Sequence, residues 1–272
     1  MIKNLSDILV VTDVDGTLLV SEKGISQSNI QVIKLFTSLG GKFTIATGRS
    51  KTATEHIRKL APINTPAILY NGGVIYDYEN DKRLCYCALN KNKALQAIND
   101  IHNKFPNVGI EIMSSDFNIY LICQNESTYK HQIKEHTHFI ISRVEDIQGE
   151  WIKVLFASDF ETHKEIEEFV KTKNYEDICF VSTSTEYFEI LPKGINKGVG
   201  LTKLCSILNH PIEDTYAIGD YNNDLEMITI AGNGVAVGNA LPCVKDKADI
   251  IVGDCLDGGV AQLLYSLIKK YT

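Results

Sequence analysis

The chain has 272 residues, 44% of them apolar and 22% charged, which is enough material for one large buried core or two modest ones. With 27 basic against 34 acidic side chains the net charge is −7, and no Lys/Arg block interrupts the pattern, so a dedicated binder of nucleic acid or anionic membrane is not expected. The 19 glycines and 6 prolines are too few for a disordered or collagen-like chain, and seven cysteines, an odd number, read as small buried thiols rather than a disulfide framework.

At the N-terminus Lys3 is followed by Asp7 before any long apolar run, so no secretory leader is expected. Ile8-Leu9-Val10-Val11-Thr12 is a continuous apolar run closed by Asp13, the pattern of a strand buried on both faces of a parallel sheet. A helix is predicted after Ser26, with Val32, Leu35, Phe36 and Leu39 on its apolar face and Gly40-Gly41 as its stop. Phe43 to Ala46 predicts a second strand running into Thr47-Gly48-Arg49-Ser50. A helix from Ala53 to Leu60 follows, then a third strand, Ala67 to Tyr70, before Asn71-Gly72-Gly73. Strands alternating with helices through short loops predict a doubly wound, Rossmann-like α/β core with a parallel sheet.

From about Asp81 to Glu186 the patterning turns more polar. Shorter strands (Ile119 to Cys123, Trp151 to Phe156) are separated by helical stretches at Lys91–Lys104 and Phe160–Lys173. This predicts an inserted α+β domain with one solvated sheet face. The α/β rhythm is expected to resume with Phe188-Glu189-Ile190-Leu191, followed by a helix from Lys197 to Leu208 and a strand over Thr215 to Ile218. Short strands near Gly234–Val237 and Asp249–Val252 and a closing helix over Val260–Lys269 complete the chain. The domain boundaries predicted are therefore 1–81 and 187–272 for the core and 82–186 for the insert. The longest uncharged stretch, Met227 to Val244, is punctuated by glycine, asparagine and proline, so no membrane helix is expected. The expectation is a reduced, cytoplasmic, soluble protein; its oligomeric state is not legible.

The chemistry gathers at strand ends. Asp13-Val14-Asp15-Gly16-Thr17 ends the first strand, where ligands of open α/β sheets collect. Two carboxylates at i and i+2 can point the same way and attract a divalent cation. Gly16 permits a sharp turn, and Thr17 offers donors to an anion. Gly219-Asp220-Tyr221-Asn222-Asn223-Asp224 repeats the logic, with Asp220 and Asp224 able to share one face at a helix start. The four carboxylates of Asp13, Asp15, Asp220 and Asp224 would repel one another without a cation, which makes the set read as two halves of a magnesium site. Thr47-Gly48-Arg49 and Lys197, the latter in Lys193-Gly194-Ile195-Asn196-Lys197-Gly198, add phosphate-sized contacts. A lysine at a helix start opposes the helix dipole and is better explained as a ligand for an anion.

The order D-x-D-G-T, T-G-R, K-G-I-N-K-G and G-D-x-x-N-D resembles the haloacid dehalogenase superfamily, and within it the Cof-type phosphatases with a large α/β cap between the second and third motifs. Asn71-Gly72-Gly73 is similar to the N-G element those proteins carry just before the cap. The resemblance implies that Asp13 is a nucleophile forming an aspartyl-phosphate and that Asp15 protonates the leaving oxygen and then activates water. It further implies that Thr47, Gly48, Lys197 and Asn223 hold the phosphoryl group. Mg2+ would then sit on Asp13, the Asp15 carbonyl, Asp220 and Asp224. The function implied is hydrolysis of small phosphorylated metabolites, sugar phosphates first, with nucleotide or cofactor monophosphates such as flavin or pyridoxal phosphates next. A phosphomutase on the same scaffold is the nearest alternative, and a phospho-accepting signalling module a more remote one. His131, His136 and His138 lack metal-ligand spacing and read as a solvated helix end, and Gly232 to Gly238 is not a dinucleotide loop. Asp116, Phe117, Tyr187 and Phe188 are candidates to face the substrate.

Overall fold

The computed structural model describes residues 4–20 and 24–272; Lys3, on which the leader reading leans, lies outside the described residues. In chain order come β1 (Leu9–Thr12), β2 (Leu19–Val20), β3 (Gly24–Ile25), α1 (Gln27–Ser38), β4 (Lys42–Ile45), α2 (Lys51–Leu60), β5 (Ala67–Leu69), β6 (Val74–Asp77) and β7 (Lys82–Tyr86). Then follow α3 (Lys91–Lys104), β8 (Gly109–Ser114), β9 (Ile119–Cys123), α4 (Glu126–Glu135), β10 (Phe139–Ile141), β11 (Trp151–Ala157), α5 (Phe160–Lys171), β12 (Ile178–Ser182) and β13 (Tyr187–Pro192). The chain closes with α6 (Lys197–Leu208), β14 (Thr215–Gly219), α7 (Leu225–Ile230), β15 (Asn233–Ala236), α8 (Pro242–Lys245), β16 (Ile250–Ile251) and α9 (Gly259–Tyr271). No helix among the described residues is long and apolar enough to cross a membrane.

Two compact units result. The first holds the described residues up to Gly48, Glu55–Cys85 and Asn196–Thr272; the second holds Arg49–Thr54 and Tyr86–Ile195. In the first unit a parallel sheet runs β16-β15-β14-β1-β4, with β1 pairing in parallel with β14 on one side and β4 on the other. Every residue of β1 is buried, as its unbroken apolar run requires. The ends of β1 and β14, directly paired at Thr12↔Ile218, thus bring the two acidic loops that follow them side by side. The predicted α/β core is present. One detail differs: α1, capped by the Ser26 hydroxyl, buries Ile30, Ile33 and Phe36, while Leu35 and Leu39 are exposed. The buried stripe is the i, i+3, i+6 row Ile30, Ile33 and Phe36.

The second unit is built on a six-stranded sheet ordered β10-β9-β8-β11-β13-β12, antiparallel except for β9 with β10. Two expectations need correction here. Phe188 to Leu191 does not resume the core: it lies in β13, paired with β11 and β12, so the boundaries fall at Cys85/Tyr86 and Ile195/Asn196 rather than at 81/82 and 186/187. A buried apolar run reveals a central strand but not which sheet it joins. Nor is one face of the sheet solvated, since β8 and β11 are buried at every residue. One face packs Ile110, Ile112, Val154, Phe156, Phe188 and Ile190 into an apolar core. The opposite face is buried with its charges paired. Glu111, Leu155 and Glu189 are in register across β8, β11 and β13, Lys153 Nζ donates to Glu189 Oε1 at 2.8 Å, and Glu111 Oε2 meets His131 Nδ1 of α4 at 2.8 Å. Polar letters on these strands mark buried ion pairs, not water.

The His131–Glu111 pair makes stability depend on pH. Burial disfavours the charged imidazole, but the attraction and hydrogen bond of Glu111, with Glu135 adding and Lys153 opposing, leave its pKa above the ordinary 6.5. A group with a raised folded pKa contributes stability that is complete below the unfolded value and lost as pH rises through the folded one. Unfolding by urea should therefore need less denaturant as pH is raised above about 6.5 through the neutral range, and His131→Gln should flatten that slope. His131→Ala, which strands Glu111, is expected to cost about 3–5 kcal/mol at pH 6. A wild-type pH slope retained in His131→Gln would contradict this assignment.

Candidate active site

Both acidic loops of the first unit leave the sheet at the ends of central strands, and their side chains converge. Carboxylate oxygens of Asp13, Asp220 and Asp224 lie within 4.8 Å of one another. Lys197, the first residue of α6, is 1% exposed, and its Nζ donates to Asp13 Oδ1 and to Asp224 Oδ1, each at 2.6 Å. Asp224, wholly buried, fixes its own loop as well: its Oδ2 accepts from the backbone N–H of Asp220 at 3.0 Å and of Tyr221 at 3.1 Å. Asp13 is held to the sheet by its N–H, which donates to the Ile218 carbonyl at 2.8 Å.

Three carboxylates share one ammonium, and the titration of the group reflects it. Burial first, then the charge of Asp224, raises the Asp13 pKa well above the carboxylate range despite Lys197. Burial and Asp224 likewise raise Asp220 to about 6. For Lys197, burial alone would lower the pKa, but Asp13 and Asp224 outweigh it and hold it well above the usual lysine value, so it stays charged. Negative charge is thus in excess and all of it is on oxygen, the donor set that suits a hard divalent cation. Gly16, at φ +82°, completes the cradle: a Cβ there would stand 2.5 Å from Asp220 Oδ2. The nearby Cys255 thiol is pushed up to about 12 by burial and by Asp220, Asp254 and Asp13, and its sulfur is not among the converging ligand atoms.

Of the residues singled out in the sequence, Asp13, Lys197, Asp220 and Asp224 are therefore in direct contact. The Asp15 carboxylate is not part of the convergent set, so the expected four carboxylates are three, and Asp15 instead bridges to Leu19 through its backbone. Side chains at i and i+2 share a face only while the strand continues, and β1 has already ended at Thr12. The Thr17 hydroxyl, expected to serve an anion, donates to Asp220 Oδ1 at 2.9 Å. Thr47 is buried just beyond β4; its N–H donates to the Ile68 carbonyl at 2.9 Å and its carbonyl accepts from Asn71 N–H at 2.9 Å. Asn223 Nδ2 donates to Asn71 Oδ1 at 3.1 Å, and a Cβ on Gly48 would come within 3.0 Å of Asn71 Nδ2. Thr47, Gly48 and Asn223 are thus gathered around Asn71. Arg49, by contrast, ion-pairs with Glu135 at 3.4 Å.

Asn239 escaped the sequence reading. Its Nδ2 donates to the Gly16 carbonyl at 2.8 Å while its Oδ1 accepts from Cys255 N–H at 2.9 Å, and the Leu241 N–H donates to the Asp220 carbonyl at 2.9 Å. The loop after β15 so holds both acidic loops; its one signal was an asparagine following glycine at a strand end. In the second unit, Phe188 belongs to the apolar core and Tyr187 packs on the His131 ring, so neither is an exposed reading residue. Asp116 is exposed in a loop tied to Ser114 and Asn118, and Phe117, at φ +67°, lies under Lys51 Nζ at 5.8 Å. His136 and His138 are exposed as expected, but His131 is buried.

A family model described as haloacid dehalogenase-like hydrolase matches residues 10–264. Among curated proteins, the chain is 29% identical to 5-amino-6-(5-phospho-D-ribitylamino)uracil phosphatase YwtE of Bacillus subtilis, covering 96% of this chain and 98% of that protein. It is 28% identical to pyridoxal phosphate phosphatase YbhA of Escherichia coli, over 95% of this chain and 97% of that one. A haloacid dehalogenase-like hydrolase from Bacteroides thetaiotaomicron superposes with a TM-score of 0.85 at 25% identity, over 96% of this chain and 99% of the other.

Proposed function

The chain belongs to the family of haloacid dehalogenase-like hydrolases and is a phosphatase of it, and from that membership we propose that it is a magnesium-dependent enzyme that hydrolyses small phosphorylated metabolites, sugar phosphates first, through an aspartyl-phosphate. The observation that carries this reading is Lys197, buried and bridging Asp13 and Asp224 in a cluster of three carboxylates. A carboxylate can approach a phosphate dianion only where fixed positive charge offsets their repulsion.

In this reading an Asp13 oxygen attacks phosphorus, and the bond from phosphorus to the leaving oxygen breaks as Asp15 supplies that oxygen with a proton. Asp15 then takes a proton from water as the water attacks phosphorus, releasing inorganic phosphate and restoring the Asp13 carboxylate. Lys197, Thr47, the Gly48 backbone and Asn223 hold the phosphoryl oxygens. Mg2+ would be held by Asp13, Asp220, Asp224 and the Asp15 carbonyl, and when bound it supplies charge neutralisation at the phosphoryl oxygens. That the Asp15 carboxylate stands apart from the three convergent ones agrees with a ligand role for its carbonyl and leaves the side chain for proton transfer.

These groups recognise a phosphoryl group and little of what bears it, so we assign the choice of substrate to the inserted unit. Relatives named for a ribityl-uracil phosphate and for pyridoxal phosphate support small phosphorylated metabolites as the class. We place the enzyme in the cytoplasm, a reading supported by an odd number of cysteines, seven, without disulfide-framework spacing. The test is release of inorganic phosphate from a panel of sugar, nucleotide and cofactor monophosphates, with Mg2+, with Ca2+ and with excess chelator. Release with Mg2+, inhibition by Ca2+ and none with chelator are expected. Full release in chelator, or transfer of the phosphoryl group to a second hydroxyl with no release, would overturn the proposal.

A further inference from the structure

The turn after β5 stands out for its backbone. Tyr70, Asn71 and Gly72 have φ of 51°, 54° and 95°, three consecutive residues in the left-handed region. Two of them carry side chains, and all three are buried. Such a run is sparsely populated for L-residues and persists only where its surroundings hold it. Its contacts explain why it is held. The Asn71 N–H donates to the Thr47 carbonyl at 2.9 Å, and its Oδ1 accepts from Asn223 Nδ2 at 3.1 Å. Its amide also lies against Gly48, where a Cβ would come within 3.0 Å of Nδ2. One residue on, Gly72 sits so close to the start of α6 that a Cβ would be 2.1 Å from the carbonyl of Asn196, the helix cap preceding Lys197. One three-residue turn thus touches the segments bearing Thr47 and Gly48, Asn223, and Lys197.

We infer that Asn71 is a positioning residue for phosphoryl binding: held left-handed, it fixes the Asn223 amide and the Thr47–Gly48 backbone in one mutual geometry. This rests on the reading of Thr47, Gly48, Lys197 and Asn223 as the groups that hold the phosphoryl oxygens. Asparagine suits the place twice, because its side chain tolerates positive φ better than most and its oxygen reaches Asn223. A turn-forming role alone would be served as well by glycine. The positioning role would not.

Asn71→Gly separates the two, since glycine is at ease at this φ and lacks the amide. The expected result is an unfolding temperature equal to or above wild type, with the inhibition constant of inorganic phosphate raised about tenfold, the scale of one hydrogen bond. kcat/KM for an aryl phosphate should fall at least as far. Asn223→Ala should raise the phosphate constant by a similar factor. Because Asn71 acts through Asn223, the double variant should resemble Asn223→Ala instead of multiplying the two losses. If Asn71→Gly does not fold, Asn71→Ala, which likewise removes the amide, enters the same cycle. A folded Asn71 variant within twofold of wild type in phosphate inhibition, or losses that multiply fully, would overturn the inference. Wild-type protein that neither hydrolyses the aryl phosphate nor binds phosphate would instead count against the functional reading beneath it.

Discussion

Asp13→Asn is expected to reduce phosphate release to below about one part in 10⁴ of wild type, the scale of removing a nucleophile. The protein should remain folded. Burial and the charge of Asp224 already raise the Asp13 pKa, so its ionised form is a load on the native state rather than a support. Asparagine removes that charge with little change of shape, leaves Lys197 its contact with Asp224, and should keep or raise the unfolding temperature. The measurement is the pair of values, rate and unfolding temperature, on one preparation. Loss of activity with the fold intact assigns Asp13 to the chemistry. A folded variant with a tenth of the wild-type rate would place the nucleophile elsewhere.

Lys197→Met should damage both activity and stability. The ammonium is 1% exposed and makes two 2.6 Å contacts, and its loss leaves Asp13 and Asp224 buried without their cation. Removing one partner from a buried pair costs about 3–5 kcal/mol. The phosphoryl group loses a fixed charge as well, so kcat/KM should fall by about 10³-fold or more. Added Mg2+ should recover part of the unfolding temperature, since a divalent cation relieves the same repulsion, but not the rate. Thermal unfolding with and without Mg2+ reads the first effect and phosphate release the second. A variant within tenfold of wild-type kcat/KM would remove Lys197 from the phosphoryl site.

Much of this site was legible because its residues break local rules. A lysine opening α6 opposes the helix dipole, and paired aspartates at two strand ends repel; such conflicts mark a site that binds something. The core was legible for the opposite reason: β1 is buried on both faces and reads as one apolar run. What escaped was long-range. Nothing local says that β13 pairs with β11 rather than with the core sheet, or that Glu111, Lys153 and Glu189 are buried partners instead of a solvated face. Strand periodicity carried past Thr12, where β1 ends, puts Asp15 among the convergent carboxylates, and the structure does not. Asn239 and Asn71 act through single hydrogen bonds to residues distant in sequence, which no spacing encodes.

In the proposed reaction Asp13 carries the phosphoryl group in transit. This is tested most directly by acid-quenching a single turnover of the Asp15→Asn variant with a phosphate-labelled aryl phosphate and Mg2+, then locating the label by peptide mass analysis. Loss of the acid–base group should slow release by about 10²–10⁴-fold and let the intermediate accumulate. One phosphoryl group is expected on the peptide containing Asp13, at Asp13 itself, and none in Asp13→Asn. Label on another residue, or inorganic phosphate released over a full turnover with Asp13 never labelled, would contradict it.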